Sequence, residues 1–340
     1  MKKRLLWADF VRIGAIYLVL VIHSFNTPVR ISQNHFDTTL ITSAIATTCV
    51  PLFVMLSGAL LLGKQESYKV FFQKRFIRLM GPWILWTSFY TILTTLTLHL
   101  SSFQQILREF TARWESFWFL PMIAGLYILT PAIRIFIRAA RRQDILLILI
   151  LWFLSVSFFP YLHNSLAFPM HVDDGLVRQI VNFYGYYLFG YFLSEVKLTN
   201  SIFSIVLVLA GTFWTCAAVY AMSLQNHGIL VSDFNNYVSP SIVVLSTGMF
   251  LLLFSLGEYM QKNLLSGFTK GYMVIAYIST SALGIYFIHP LVQEFIFPQI
   301  SHLSVNPPFD PLIKGAILFV TSFAILSLLS LIPRARQLLT

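Results

Sequence analysis

Charged residues are scarce in this chain of 340 residues: Asp, Glu, Lys and Arg make up 11%, whereas hydrophobic residues make up 57%. A typical soluble domain carries about 25% charged residues. The composition therefore excludes an ordinary soluble protein and predicts an all-α, polytopic membrane bundle. Spans and short loops account for nearly the whole sequence, so we expect a single integral-membrane domain over residues 1–340.

Cysteine is also rare, because Cys49 and Cys216 are the only two and both fall inside apolar runs. We interpret them as small core residues rather than disulfide partners or metal ligands. The eight histidines include no pair four residues apart on a predicted helix, so we expect no metal site. A serine nucleophile elbow, a Walker loop and a dinucleotide fingerprint are absent too.

Long apolar segments predict about ten transmembrane helices. They lie near 7–25, 38–62, 79–100, 117–137, 144–162, 176–194, 201–223, 237–257, 272–293 and 311–332. Of the 23 Lys and Arg residues, 17 fall on the side of the N-terminus, 5 fall on the opposite side and Arg12 is embedded. The positive-inside rule then predicts a multi-pass protein of the cytoplasmic membrane with both termini inside. Since topology explains most of the net charge of +10, we expect membrane lipid and no nucleic acid as a partner.

Arg12 and His23 are ionisable residues within the first predicted span, where such groups are costly and usually functional. Eleven residues are about three helical turns, so both side chains share nearly one face, roughly 16 Å apart along the axis. Asp9 joins that face one turn before Arg12. His289, directly before Pro290, is predicted at the same outer depth as His23. We interpret the two histidines as candidates for one functional site.

Arg75 and Arg78 belong to a basic cluster on the predicted inner side and lie one helical turn apart. Paired guanidinium groups suit the oxygens of a polyphosphate. The alternative is a positive-inside anchor or a contact with lipid headgroups.

Five motifs that occur in order along the chain resemble the integral-membrane acyltransferase 3 family. They are Arg12 with His23, residues 50–58, Arg75 with Arg78, Trp118 with Phe119 and Leu120, and residues 281–290. The length and the lack of an attached hydrolase-like domain are most similar to the family's stand-alone O-acetyltransferase branch. The resemblance implies transfer of an acyl group, usually acetyl, from cytoplasmic acyl-CoA to a hydroxyl of a glycan or glycolipid at the outer face.

The resemblance also implies roles for the residues of these motifs. Arg75 and Arg78 would hold the phosphates of acetyl-CoA, and Arg12 would bind the donor's polar arm or pair with Asp9. His23 would act as general base on the acceptor hydroxyl, a role that suits an imidazole at neutral pH. Candidates for stabilising the oxyanion are Tyr286, Trp118 and His289. Direct transfer and an acetyl-histidine intermediate both stay open.

Three further residues are weaker candidates. Ser57, beside Gly58, is interpreted first as a packing residue and second as lining for the donor. Tyr184 is interpreted first as part of an aromatic belt or core and second as a platform for a sugar. Trp118 is a separate candidate for substrate binding. Asp233 lies in a predicted outer loop, where a carboxylate suits either sugar hydroxyls or solvent.

Other functions remain open at this level. A transporter or permease also uses embedded Arg, Asp and His groups, but here the acids avoid mid-span and no inverted repeat is visible. A flippase or assembly partner of glycan synthesis would tolerate the loss of His23. Within the family, a succinyl or longer acyl donor is the alternative to acetyl.

Overall fold

The computed structural model describes residues 4–25, 38–165, 175–198, 200–225, 235–263, 269–300, 306 and 309–331. Every regular element in these ranges is helical, which confirms the all-α prediction. The helices are α1 (Leu6–Ile22), α2 (Thr39–Thr47), α3 (Cys49–Leu61), α4 (Tyr68–Thr97), α5 (Phe103–Ser116), α6 (Phe119–Ala139), α7 (Arg142–Trp152), α8 (Phe159–Ser165), α9 (Leu176–Val196), α10 (Ser201–Gln225), α11 (Pro240–Asn263), α12 (Thr269–Thr280), α13 (Ala282–Ile300) and α14 (Phe309–Leu329). A π-helical segment, Phe153–Phe158, joins α7 to α8.

Each of the ten predicted spans coincides with helical structure, but several of them are divided. Six segments in the described ranges are long and apolar enough to cross a membrane, and a seventh is added if α12 and α13 form one bent span. These two helices meet at 61°. The hydroxyls of Thr280 and Ser281 bond to carbonyls of the preceding turn, a pattern that bends helices. A membrane protein is therefore confirmed, whereas ten crossings and the orientation of the termini remain predictions.

One helix boundary differs from the sequence prediction, and one helix was not predicted. Helix α4 begins at Tyr68, well before position 79, because the Ser67 side chain accepts a hydrogen bond from the Val70 amide and caps the helix. Arg75 and Arg78 therefore lie inside a 30-residue helix rather than at its start. Helix α5 was not predicted, because it is too polar to be recognised as a membrane span. Its Trp114 stacks on Trp83 of α4, with 3.6 Å between the ring centroids.

Helix α1 lies at the centre of the bundle and contacts α2, α3, α11, α12, α13 and α14. This position explains why its apolar side chains are buried on several faces, as expected for a helix surrounded by others. It also places Arg12 beside Ser279 of α12 and His23 beside His289 of α13.

Helices α3 and α9 approach each other closely at two glycines. A Cβ atom at Gly58 would overlap the Tyr187 carbonyl, and one at Gly190 would overlap the Met55 carbonyl. Small residues allow such backbone contact between membrane helices. A packing role is thus confirmed for Gly58, the residue next to Ser57.

We expect Gly58→Ala to lower stability by roughly 1–3 kcal/mol, because backbone atoms on α9 cannot move aside as a side chain could. Thermal unfolding in detergent measures this. Gly63→Ala is the matched control, since its Cβ would only make an ordinary contact, 3.4 Å from the Tyr191 ring. Equal melting temperatures for the two variants would contradict the close approach of α3 and α9.

Candidate active site

One large cavity lies beside α1 and is walled mainly by α3, α4, α6, α12 and α13. Its volume is about 970 Å³, at the upper end of the range for small-molecule sites. Seven basic side chains and one carboxylate, that of Asp9, line its described wall. The predicted site residues on this wall are Arg12, His23, Ser57, Arg75, Arg78, Trp118, Tyr286 and His289.

The basic end of the cavity contains a carboxylate held between two arginines. Arg4 donates two hydrogen bonds of 2.8 Å to the buried Asp9, and an Arg12 guanidinium nitrogen lies 3.5 Å from the same carboxylate. Arg12 also donates to the Ser279 hydroxyl at 2.7 Å. The Asp9 carboxylate therefore neutralises mainly the charge of Arg4. The Arg12 guanidinium is oriented toward the junction between α12 and α13.

Arg75 at the same end is held by a residue that the sequence did not single out. Glu66 accepts hydrogen bonds from Arg75 at 3.1 Å and from the buried Arg134 at 3.2 Å. Arg134 also donates two bonds to the Leu61 carbonyl, which lies at the C-terminus of α3. Cations stabilise that end of a helix. Glu66 thus ties the position of Arg75 on α4 to the ends of α3 and α6.

Ser57 also lines the cavity, and its hydroxyl donates to the Phe53 carbonyl at 2.9 Å. The bond is of the ordinary intrahelical type. The geometry thus assigns Ser57 to the wall and leaves its contact with a ligand as a prediction.

The histidine end of the cavity brings two imidazoles from different helices together. His23 follows the last residue of α1, and its ring centroid lies 5.1 Å from that of His289 on α13. The His23 ring is exposed to the cavity, whereas His289 is buried. His289 donates from Nδ1 to the Tyr286 carbonyl at 2.6 Å. Gln293, one turn beyond His289, donates to the His23 carbonyl at 2.7 Å and so fixes the end of α1.

Aromatic side chains form the wall beside the histidines. Trp118, at the start of α6, packs against Tyr237 with 5.6 Å between ring centroids. Tyr286 packs against Phe117 at 5.8 Å and against His289 at 5.8 Å. Aromatic faces of this kind suit the apolar faces of sugars as well as the core of a bundle.

One predicted candidate, Tyr184, is not brought to this wall. Tyr184 lies on α9, partly buried against the core, and is not among the described residues of the cavity wall. Its neighbours Tyr186 and Tyr187 are fully buried, which agrees with a packing role for this stretch. Asp233 lies outside the described residues.

Four residues of the cavity wall were not predicted from the sequence to belong to a site. Tyr90 and Gln293 are ordinary polar residues within apolar helices, and Cys49 was interpreted as a core residue. Arg113 also lines the wall, where its guanidinium lies 5.9 Å from the Tyr90 ring centroid and pairs with Glu109. Only the packing of α5 on α4 brings Arg113 to the cavity. No cluster of three or more potential metal ligands occurs within the described ranges.

A comparison with protein families agrees with this arrangement. The model of the acyltransferase 3 family, described as an acyltransferase domain, matches residues 5–331. The chain belongs to this family and is a membrane acyltransferase. Searches of curated proteins and of solved structures found no match.

Proposed function

We propose that this protein is an O-acetyltransferase of the cytoplasmic membrane. It takes the acetyl group of cytoplasmic acetyl-CoA and transfers it to a hydroxyl of an extracytoplasmic envelope glycan or glycolipid. The observation that carries the proposal is a cavity whose described wall has Arg75 and Arg78 at one end and the pair His23 and His289 at the other.

The basic end supports a phosphorylated donor. Arg75 and Arg78 line the cavity together with Lys64 and Lys74, and only Asp9 contributes a carboxylate to the described wall. Guanidinium groups bind phosphate oxygens with two parallel hydrogen bonds, and ammonium groups add point charge. Glu66 presets the Arg75 guanidinium, so that less side-chain entropy is lost when a phosphate binds.

Arg12 lies at the basic end of the cavity, roughly 16 Å along the axis of α1 from His23. Its bond to Ser279 directs one edge of the guanidinium toward the α12–α13 junction. We propose that the polar arm of the donor passes Arg12 and carries the thioester toward His23.

At the histidine end, an imidazole nitrogen of His23 removes the proton of the acceptor hydroxyl. The hydroxyl oxygen attacks the thioester carbonyl, the new ester C–O bond forms and the C–S bond breaks. The proton on His23 then neutralises the departing CoA thiolate. Tyr286 is our candidate for the oxyanion donor, because it is on the wall and adjoins His289. Trp118 is our candidate for the acceptor platform, and Asp233 remains a predicted acceptor contact.

The experiment uses the purified protein in nanodiscs with acetyl-CoA labelled in the acetyl group. We expect saturable binding, slow release of CoA, and label in the glycolipid fraction when envelope lipids are added. Succinyl-CoA as competing donor should transfer more slowly. Failure of the protein to bind acetyl-CoA or to cleave its thioester would contradict the proposal.

A further inference from the structure

Pro290 changes the hydrogen bonding of the turn that carries His289. Proline has no backbone N–H, so the carbonyl four residues earlier, that of Tyr286, loses its helical donor. The Nδ1 atom of His289 takes this place at 2.6 Å. A carbonyl can only accept a hydrogen bond, so Nδ1 carries the proton. In the neutral ring, Nε2 then has the free lone pair.

The hydroxyl of Tyr90, on α4, inserts into the same turn of α13. It donates to the Phe287 carbonyl at 2.8 Å and accepts from the Leu291 amide at 3.2 Å. In an intact helix this amide and this carbonyl would bond to each other. Tyr90 therefore holds the turn open and satisfies both groups. Its ring is buried, with the Trp86 and Phe117 centroids 5.9 and 6.1 Å away.

We propose that Pro290 and Tyr90 are positioning residues that hold His289 in its Nδ1–H form. His289 then presents the Nε2 lone pair on the cavity side, beside the ring of His23. In this form His289 accepts a hydrogen bond or a proton and does not donate to an oxyanion. Its part in catalysis is to orient His23 or the acceptor hydroxyl, and this consequence rests on the proposed function.

The test is solid-state NMR of the protein labelled with ¹⁵N-histidine in nanodiscs, at a pH where histidine is neutral. The His289 signals are assigned by their loss in His289→Asn. We expect the wild type to carry the His289 proton on Nδ1. Pro290→Ala restores an amide donor to the Tyr286 carbonyl, so the proton should move wholly or partly to Nε2. Tyr90→Phe should give a mixture of both forms.

The chain offers matched controls for both substitutions. Pro298 lies inside the same helix, and the Tyr17 hydroxyl donates to a carbonyl of α14 at 2.9 Å, away from the cavity. Pro298→Ala and Tyr17→Phe should leave the His289 signals unchanged. The proposal is overturned if wild-type His289 is protonated on Nε2, or if both Pro290→Ala and Tyr90→Phe leave its Nδ1–H signal intact. Tyr90→Phe keeps the test valid if Pro290→Ala does not fold.

The activity of the same variants separates this inference from the proposed function. A displaced catalytic group costs roughly 10- to 100-fold in rate, so kcat should fall by that factor while the Kd for acetyl-CoA stays constant. The NMR measurement needs no acyl donor. Suppose that His289 is protonated on Nδ1 but the protein does not bind acetyl-CoA. The proposed function would then be wrong, and the inference about His289 would still hold.

Discussion

His23→Asn should lower the rate of acetyl transfer by roughly 10³-fold and leave the Kd for acetyl-CoA unchanged. General acid–base catalysis is typically worth about 10²–10⁴ in rate, and His23 is the histidine whose ring is open to the cavity. The donor's phosphates would bind at the other end of the cavity, so their contacts survive. Single-turnover release of labelled CoA and equilibrium binding, measured on the same nanodiscs, give the two quantities.

His99→Asn is the matched control for this prediction. His99 has a positive φ of 51°, a conformation that Asn tolerates well, and it is not on the described wall of the cavity. It should transfer acetyl at the wild-type rate. If His23→Asn keeps that rate too, His23 is not the base, and His289 with its available Nε2 becomes the alternative.

Arg75→Gln combined with Arg78→Gln should weaken acetyl-CoA binding by roughly 10²-fold or more. A hydrogen bond to a charged group is worth about 1.5–3 kcal/mol, and two such side chains are removed. We take the lower end of the combined effect, because Glu66 already compensates part of the Arg75 charge. Equilibrium binding of labelled acetyl-CoA at low and high salt measures the loss, which should be larger at low salt.

Arg138→Gln with Arg142→Gln removes the same charge from exposed positions on the same predicted side, away from the described cavity wall. This control should bind the donor like the wild type. Equal binding by both double variants would show that Arg75 and Arg78 anchor the helix or contact lipid headgroups instead.

Much of the site could be predicted from the sequence because its residues are exceptions to their surroundings. Arg12 in an apolar span and a proline directly after His289 stand out without any knowledge of packing. The helical period alone places Arg12 and His23 on one face of α1. The predicted topology places His289 at the same membrane depth as His23, and the two ring centroids are 5.1 Å apart in the structure.

Other features depend on which helices become neighbours, which no local pattern records. Glu66 and Arg134 are 68 residues apart, and Tyr90 and Leu291 are 201 apart. Arg113 reaches the cavity only because Trp114 stacks on Trp83. Tyr184 shares an aromatic stretch with Tyr186 and Tyr187, but the close approach of α3 and α9 directs this stretch to the core.

The sequence by itself determined the class of protein and the membrane setting, and it predicted candidate site residues, because burying charge in an apolar segment is costly enough to mark function. The tertiary structure decided how those residues are held. Backbone carbonyls freed by Pro290 or left at the end of α3 need hydrogen-bond donors, and the nearest side chains supply them. Those donors are His289 and Arg134, so the same requirement that stabilises the bundle also orients its candidate site.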